Sequence, residues 1–189
     1  MSRTLTLASA SPRRKQLLEM LGIPLRVQPS QIEEVCRPDE SPAAYAERLA
    51  REKAESVAGD FVLGADTTVI LNGTLLEKPA DPEDAVRMLL LLQGRTHEVR
   101  TAVALAAGGM TRVAVDITRV TFRPAAEAFL RDYVATGEPM DKAGAYGIQG
   151  YGAALVERVD GDFFSVMGLP VRLVLDLMAQ AGWVYRFTR

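Results

Sequence analysis

The segment Ser9-Ala-Ser-Pro-Arg-Arg14 combines residue types that bind anions. The apolar stretch Thr4–Ala8 before it predicts a short strand, and Ser11-Pro12 is a typical helix start, with serine as the N-cap and proline in the first turn. Free backbone N–H groups and the positive end of the helix dipole attract a negative group at such a point. Arg13 and Arg14 add positive charge there. We therefore predict phosphate binding, with pairing to a structural carboxylate as the alternative.

Two cations fall on predicted apolar helix faces. Arg14 lies three residues before Leu17, on the stripe that the first helix should bury. A second helix is predicted from Ser41-Pro42, and Lys53 lies in the middle of its apolar face, whereas Arg48 lies on the opposite, solvent-facing side. A cation on a buried face needs an anion or a carboxylate as partner. For Lys53 the alternative is an aliphatic stem at the rim of the core with its ammonium group in water.

A strand is predicted over the apolar and β-branched stretch Phe61–Leu71, and a carboxylate, Asp66, closes its first, buried-looking part. Ligands of α/β proteins bind at the ends of strands, where an aspartate can hold Mg²⁺ or accept a proton from water. It can equally be a turn residue. A hairpin turn at Asn72-Gly73 sends the chain back toward the same region, where Lys78 is either part of the site or a solvated surface charge.

The segment Asp141–Gly150 is rich in glycine. Glycines allow backbone conformations and close approaches that ligand-binding loops use. Gln149 carries both a donor and an acceptor, so it could read the edge of a nucleobase. An ordinary glycine-rich turn is the alternative.

Strands and helices mix along the whole chain, which predicts an α/β or α+β sheet with antiparallel hairpins. The remaining predicted elements are a helix from Asp81-Pro82 to Leu92, a hairpin of Glu98–Ala107 and Thr111–Phe122, a helix over Ala125–Ala135, a strand over Ala154–Val159, a last helix from Gly168-Leu-Pro170 to Ala181, and a closing strand over Trp183–Phe187.

The composition excludes several classes of protein. A chain of 189 residues that is 48% hydrophobic fits one domain, 1–189, or two small lobes around one cleft. A net charge of −2 gives no general attraction to nucleic acid. One cysteine (Cys36) and one histidine (His97) cannot form the usual zinc sites, and a Ser-His-Asp triad would depend on His97. P-loop and Rossmann motifs are absent from the sequence. Neither a signal peptide nor a membrane span is predicted, so we expect a cytoplasmic protein.

Taken in order, these motifs resemble the Maf family of nucleoside triphosphate pyrophosphatases, once known as septum-formation inhibitors. The resemblance covers nearly the whole chain. It rests on seven blocks: Ser9–Arg14, Ile32–Glu34, Ala50–Lys53, Gly64–Thr67, Leu76–Pro79, Asp141–Gly150 and Gly168–Pro170.

The resemblance implies an elongated α/β fold, with a mixed twisted sheet flanked by helices and two lobes around a central cleft, and often a homodimer. It also implies cleavage of a nucleoside triphosphate to the monophosphate and pyrophosphate with a divalent cation such as Mg²⁺, Mn²⁺ or Co²⁺. The sequence of the Asp141–Gly150 block resembles that of the subfamily that prefers dTTP and UTP. A 7-methyl-GTP pyrophosphatase is the alternative within the family. CTP and modified pyrimidine nucleotides are further possible substrates.

Roles for individual residues also follow from the resemblance. Asp66 is expected to accept the proton of water, and Glu34 and Asp66 to hold the metal, with Glu33 as the alternative to Glu34. Phosphates are expected to bind Ser9, Arg13, Arg14, Lys53 and Lys78, and base choice to depend on Arg13, Thr67 and Gln149.

Two other functions are compatible with the motifs: a non-catalytic regulator of septum formation that binds nucleic acid or a partner protein, and a nucleotide sensor without turnover. The balanced charge and the lack of a basic stripe favour neither nucleic acid nor a membrane as partner.

Overall fold

The structure is a computed structural model that describes residues 3–187. The helices are α1 (Pro12–Met20), α2 (Pro42–Glu55), α3 (Pro82–Leu92), α4 (Glu127–Ala135), α5 (Phe163–Val166) and α6 (Val171–Gln180). The strands are β1 (Leu5–Leu7), β2 (Leu25–Val27), β3 (Phe61–Leu71), β4 (Thr74–Leu76), β5 (Thr96–Ala107), β6 (Met110–Phe122) and β7 (Val156–Asp160). Three short 3₁₀ helices, Glu138–Asp141, Ala143–Ala145 and Tyr151–Leu155, occupy most of the glycine-rich region.

The described strands form one mixed sheet in the order β2-β1-β3-β5-β6-β7, with β4 paired to β3. Strand β1 is parallel to both β2 and β3, whereas β4 and β7 are antiparallel to their neighbours. The predicted α/β class with a mixed sheet and flanking helices is therefore confirmed.

The chain divides into two compact units. Unit 1 contains Met1–Asp66, Thr101–Asp116 and Gly168–Arg189, and unit 2 contains Thr67–Arg100 and Ile117–Met167. In unit 1, helix α2 packs a row of alanines, including Ala46 and Ala50, against Ala102 and Ala104 of β5. In unit 2, larger side chains such as Leu89, Phe122 and Leu130 form the core.

Turn chemistry explains the hairpins. Asn72 and Gly73 have φ values of 50° and 83°, as a two-residue type I′ turn requires. Gly108 and Gly109, with φ values of 59° and 76°, connect β5 to β6 in the same way.

The predicted closing strand over Trp183–Phe187 is wrong, since these residues adopt no regular secondary structure. Side-chain contacts hold the segment instead: the Trp183 ring meets Phe61 edge-to-face at 5.0 Å, and the Tyr185 hydroxyl donates to the Leu21 carbonyl at 2.8 Å. The short helix α5, which Asp162 caps through the Phe164 and Ser165 amides, was not predicted. Its four residues are too few to show a helical period.

Within residues 3–187, no helix has the length and apolar character needed to span a bilayer.

Candidate active site

Asp66 lies in the middle of strand β3, which continues to Leu71. The strand predicted over Phe61–Leu71 is confirmed, whereas the placement of Asp66 at a strand end is wrong, because the β-branched residues that follow Asp66 favour an extended backbone. The aspartate is 7% exposed. A carboxylate inside a central strand must have partners of its own, since burial opposes its ionised form.

Helix α2 brings Lys53 to this carboxylate because it packs very closely on β3. A Cβ atom at Gly64 would lie 2.2 Å from the Ala50 carbonyl oxygen and 2.6 Å from the Ala54 nitrogen. Only glycine can occupy that position without moving the helix. Gly64 precedes Asp66 by two residues, so its side of the strand is also the side of the carboxylate. The glycine at position 64 thus allows the close packing of α2 that brings Lys53 to Asp66.

Lys53 is 6% exposed, so it does lie on the buried face of α2, where the helical spacing placed it. Its Nζ atom donates to Asp66 Oδ1 at 2.7 Å and pairs with Glu34 Oε1, also at 2.7 Å. The lysine therefore bridges two carboxylates. Between the adjacent candidates Glu33 and Glu34, it is Glu34 that reaches Lys53.

The electrostatics of Asp66 are a balance of opposed effects. Burial raises the pKa of Asp66 above its ordinary value, Lys53 and Arg14 lower it, and Glu34 raises it again. Burial dominates, so the net shift is upward. A raised pKa makes the carboxylate a stronger base than an exposed aspartate when it is ionised.

Arg14 belongs to the same cluster. Its Nε atom donates to the Gly168 carbonyl at 2.8 Å, and Nη1 donates to the Ala65 carbonyl at 2.9 Å and to Ser9 Oγ at 3.1 Å. Burial lowers the pKa of Arg14 from its ordinary value, although the charges of Asp66 and Glu34 oppose that shift. The guanidinium holds the backbone immediately before Asp66, so this residue has a structural role whether or not it also binds phosphate.

The start of helix α1 has the predicted geometry. Ser11 caps the helix by accepting a hydrogen bond from the Arg14 amide, and Pro12 is the first helical residue. Ser9 is buried, and its hydroxyl accepts from the Ser11 amide at 3.2 Å. Arg13 is half-buried in the first turn. In unit 1 the structure thus brings Ser9, Arg14, Lys53 and Asp66 into one network of contacts, with Glu34 attached through Lys53.

The loop that carries Glu34 is held by a group of charges that the sequence did not predict. Arg48 binds the Glu40 carboxylate with two hydrogen bonds of 2.7 Å and donates to the Val35 carbonyl at 2.9 Å. The hydrogen bond from Arg48 lowers the pKa of Glu40 to about 2. Arg48 was predicted to be an ordinary solvent-facing residue, yet its side chain is only 14% exposed. Helical spacing gave no signal for Glu40, because that residue precedes the helix.

Unit 2 contains the other predicted site residues. Thr67 is half-buried in β3, and Lys78 is exposed just after β4. Strand β4 pairs Leu76 with Val69 in antiparallel register, which directs the following residues back toward Thr67. Gln149 is exposed in the glycine-rich loop, whose Gly144 amide donates to the Glu77 carbonyl at 3.1 Å. The loop and the segment with Lys78 are therefore adjacent.

His97 is a buried core residue and not part of a catalytic triad. It is 2% exposed, its Nε2 atom lies 2.8 Å from the Tyr146 hydroxyl, and its Nδ1 atom has no hydrogen-bond partner among residues 3–187. Burial lowers the pKa of His97 to about 4. An imidazole with that pKa is neutral at physiological pH, and its role is to fix Tyr146 of the glycine-rich loop.

This histidine should make stability depend on pH. Its pKa is about 4 in the folded protein and about 6.5 when unfolded, so the unfolded chain binds more protons between these values. The stability that the neutral ring contributes is present above about pH 6.5 and is lost as pH falls toward 4, by about 3 kcal/mol over that window. Urea denaturation of the protein and of His97→Gln between pH 4 and 8 checks this. The variant keeps a polar atom near Nε2 but does not titrate, so its curve should fall less; parallel curves would contradict the prediction.

Two carboxylates on one cation suggest how a divalent metal could be held. Among residues 3–187, no group of three or more histidine, cysteine, aspartate or glutamate side chains is placed to bind a metal. Mg²⁺ bound with phosphates usually takes only one or two protein carboxylates and completes its shell with phosphate oxygens and water. Glu34 and Asp66 already converge on a positive charge, that of Lys53, so this donor set fits such an ion.

The fold and these contacts define an α/β protein with a buried, cation-flanked carboxylate beside a helix start suited to anions. A family model described as Maf-like protein matches residues 4–181. The chain belongs to the Maf family.

Its relatives include three proteins named dTTP/UTP pyrophosphatase. The protein from Moorella thermoacetica is 51% identical over 184 residues, covering 94% of this chain and 95% of the relative. The Koribacter versatilis protein is 49% identical over 182 residues, covering 94% of each. One from Escherichia coli is 49% identical over 181 residues, covering 93% of this chain and 92% of the relative.

Among solved structures, the Staphylococcus aureus Ham1 protein aligns with a TM-score of 0.47 and 15% identity, over 82% of this chain and 80% of that protein. No functional conclusion follows from a similarity at that level.

Proposed function

We propose that this protein hydrolyses dTTP and UTP to the nucleoside monophosphate and pyrophosphate. The observation that carries the proposal is the buried Asp66 carboxylate held by Lys53 at 2.7 Å, in a chain about half identical to proteins named for this activity. A buried, strongly partnered carboxylate with a raised pKa is typical of a general base.

The reaction joins a water oxygen to the α phosphorus and breaks the bond from that phosphorus to the oxygen bridging to the β phosphorus. The Asp66 carboxylate accepts the proton that water loses. Pyrophosphate leaves with the bridging oxygen and the electron pair of the broken bond. Lys53 keeps Asp66 in place and favours its ionised form, which is the form that can accept the proton.

The cationic residues match the charge of the substrate. A nucleoside triphosphate carries about four negative charges at neutral pH. We assign phosphate binding to Ser9, Arg13, Arg14, Lys53 and Lys78, and the positive end of the α1 dipole adds to their attraction for phosphate. The charge that develops on the departing pyrophosphate lies on the phosphate oxygens that these cations are proposed to bind. The cations therefore stabilise the transition state as well as the bound substrate.

A divalent cation is the proposed cofactor, and Glu34 and Asp66 would hold it. When bound, such an ion neutralises phosphate charge and polarises the phosphoryl group. The choice among Mg²⁺, Mn²⁺ and Co²⁺ does not affect the roles of the protein residues.

The alternatives receive less support. The relatives named above carry the dTTP/UTP name and not a 7-methyl-GTP name. A regulator without turnover would have no use for a buried carboxylate beside a cation at an anion-binding helix start, because that arrangement costs folding free energy. We also propose a cytoplasmic location, as expected from the sequence, and a homodimer, as the family resemblance implies.

Base selectivity provides the direct test. Uracil and thymine present two carbonyls and one ring N–H, and the Gln149 amide can donate to one carbonyl and accept from the N–H. Cytosine places a donor where uracil has a carbonyl, which leaves a polar group unpaired. We expect dTTP and UTP to be cleaved faster than CTP, and all three faster than purine triphosphates, in an assay of pyrophosphate release.

Gln149→Ala should flatten this ranking more than it lowers turnover on the best substrate, because it removes the base contact and leaves the phosphate site intact. Gln180→Ala, a substitution of an exposed glutamine at the end of α6, is the matched control and should change nothing. A wild-type preference for 7-methyl-GTP, or an unchanged ranking in Gln149→Ala, would exclude base reading by this loop.

A further inference from the structure

The glycine-rich loop is held by a carboxylate that lies outside it. Glu138 accepts hydrogen bonds from the Tyr151 amide at 2.8 Å, the Gly152 amide at 2.9 Å and the Tyr133 hydroxyl at 2.9 Å. Three donors thus converge on one half-buried side chain. Two of them are consecutive backbone amides, so Glu138 fixes the course of the chain just after Gln149.

The chain before Gln149 is fixed by the same group of residues. The Tyr133 hydroxyl, which donates to Glu138, accepts a hydrogen bond from the Gly147 amide at 3.1 Å. Tyr133 is 6% exposed and belongs to the core of unit 2. Gln149 therefore lies between the Gly147 amide, two residues before it, and the Tyr151 and Gly152 amides, two and three residues after it, which Tyr133 and Glu138 hold.

The glycines around Gln149 are required by this arrangement. Gly150 has a φ of 100°, and a Cβ atom there would lie 2.5 Å from Glu138 Oε2. A Cβ atom at Gly152 would lie 2.2 Å from the Gly147 carbonyl oxygen and 2.7 Å from the Tyr133 hydroxyl. These glycines allow the backbone to close around the carboxylate, so their presence serves the Glu138 contacts as well as any ligand.

A carboxylate is chemically the right group for this position, because it accepts hydrogen bonds and donates none. Burial raises the pKa of Glu138, but the hydrogen bonds from Gly152, Tyr151 and Tyr133 outweigh it and leave the pKa below its ordinary value. Glu138 is therefore ionised at neutral pH, with all three donors satisfied.

We propose that Glu138 is a positioning residue that sets base selectivity by holding residues 147–152 in the conformation that presents Gln149 to the substrate base. This inference rests on the proposed function, since it assumes that Gln149 reads the base. A side chain on a preorganised loop loses less conformational freedom when it binds than one on a mobile loop. Release of the loop should therefore weaken discrimination between bases and leave the phosphate chemistry in unit 1 unaffected.

Glu138→Gln is the decisive variant. The amide keeps the size of the side chain but turns one acceptor into a donor, which then faces an N–H or O–H group. We expect the ratio of kcat/KM for UTP to that for GTP to fall on the order of tenfold, through KM for UTP, with kcat at saturation nearly unchanged. Amide hydrogen exchange over residues 147–152 should become faster, a readout that does not depend on activity.

Two further variants complete the experiment. Tyr133→Phe removes the hydroxyl that links Gly147 to Glu138, so it should reproduce both effects and serves if Glu138→Gln does not fold. Glu83→Gln is the matched control, because Glu83 also belongs to unit 2 and binds Arg131 on the surface, where its side chain is 75% exposed. It should leave the substrate ranking and the exchange of residues 147–152 unchanged.

The outcomes separate this inference from the proposed function. If the wild-type protein prefers pyrimidines and Gln149→Ala flattens the ranking, but Glu138→Gln and Tyr133→Phe keep it, only the role of Glu138 is overturned. If Gln149→Ala itself leaves the ranking unchanged, base reading by the loop is overturned, and this inference with it. In the double variant Glu138→Gln/Gln149→Ala we expect no loss of discrimination beyond that of Gln149→Ala; an additive loss would show that Glu138 acts independently of Gln149.

Discussion

Asp66→Asn should cut turnover by ~100-fold or more, the usual scale for losing a positioned general base. An amide has nearly the size of the carboxylate, so the packing of β3 on α2 should persist, but it cannot accept a proton from water at neutral pH. The amide can still accept a hydrogen bond from Lys53, which should limit the loss of stability. Pyrophosphate release from dTTP under saturating substrate and metal measures the effect.

Asp116→Asn provides a matched control for this substitution. Asp116 is also a buried aspartate of unit 1, 6% exposed, and it binds Arg172 at 2.6 Å. Its loss should lower the free energy of unfolding and leave turnover of the folded protein close to normal. Near-normal turnover in a well-folded Asp66→Asn protein would remove Asp66 from the catalytic role.

The site residues that could be found from the sequence are charged residues at positions that the surrounding pattern predicts to be buried. Lys53 interrupts an apolar helix face, and Asp66 follows an apolar stretch that should be buried. A charge at a buried position needs a partner, so each residue predicts that another lies nearby. The structure pairs the two directly, at 2.7 Å.

Partners that are remote in sequence could not be found in this way. Glu34 lies in an irregular loop, where no period assigns a side chain to a face, and only the resemblance to a family placed it in the site. Arg48 was expected to face solvent, because helical spacing shows which face it occupies but not that a loop covers that face. Glu138 precedes the glycine-rich block, and nothing in its spacing indicates that it binds amides 13 and 14 residues further on.

The fold shows the same limit. Elements with a clear period or turn signal agree with the structure, as in the predicted strand Phe61–Leu71 and the Asn72-Gly73 turn. Trp183–Phe187 has the composition of a strand, but its aromatic side chains pack on Phe61 and reach Leu21 without a ladder of backbone hydrogen bonds. Composition alone does not distinguish a strand from an irregular segment that is held by side-chain contacts.

Arg14 and Lys53 were both predicted to bind phosphate, but their contacts separate them. Arg14 donates to two backbone carbonyls, of Ala65 and Gly168, and those bonds would persist with or without a substrate. The Lys53 ammonium group pairs with the side-chain carboxylates of Asp66 and Glu34, and Glu34 is 41% exposed. Substitution of Lys53 is therefore the better test of the role of a cation in catalysis. Substitution of Arg14 would also shift the backbone before Asp66, so its effect on activity would have two causes.

Lys53→Met should remove about 2 kcal/mol of transition-state stabilisation, which lowers kcat/KM roughly 30-fold. It removes a charge-assisted contact while keeping the length of the side chain. It should also destabilise the protein, since two carboxylates that shared a cation would face each other without one. Lys15→Met is the control for the substitution itself: Lys15 pairs with Glu19 at 3.5 Å on the surface, and its side chain is 50% exposed, so little change is expected.

A double-mutant cycle identifies which carboxylate Lys53 serves. In the Asp66→Asn background the buried charge is already gone, so adding Lys53→Met should cost less stability than it does in the wild-type protein, with a coupling of about 1–3 kcal/mol in urea denaturation. Additive losses would mean that Lys53 acts mainly on Glu34 or on packing. The coupling free energy is measured without substrate or metal, so it tests the Lys53–Asp66 pair itself. Comparison with the drop in kcat/KM then shows how far the loss of this pair accounts for the loss of catalysis.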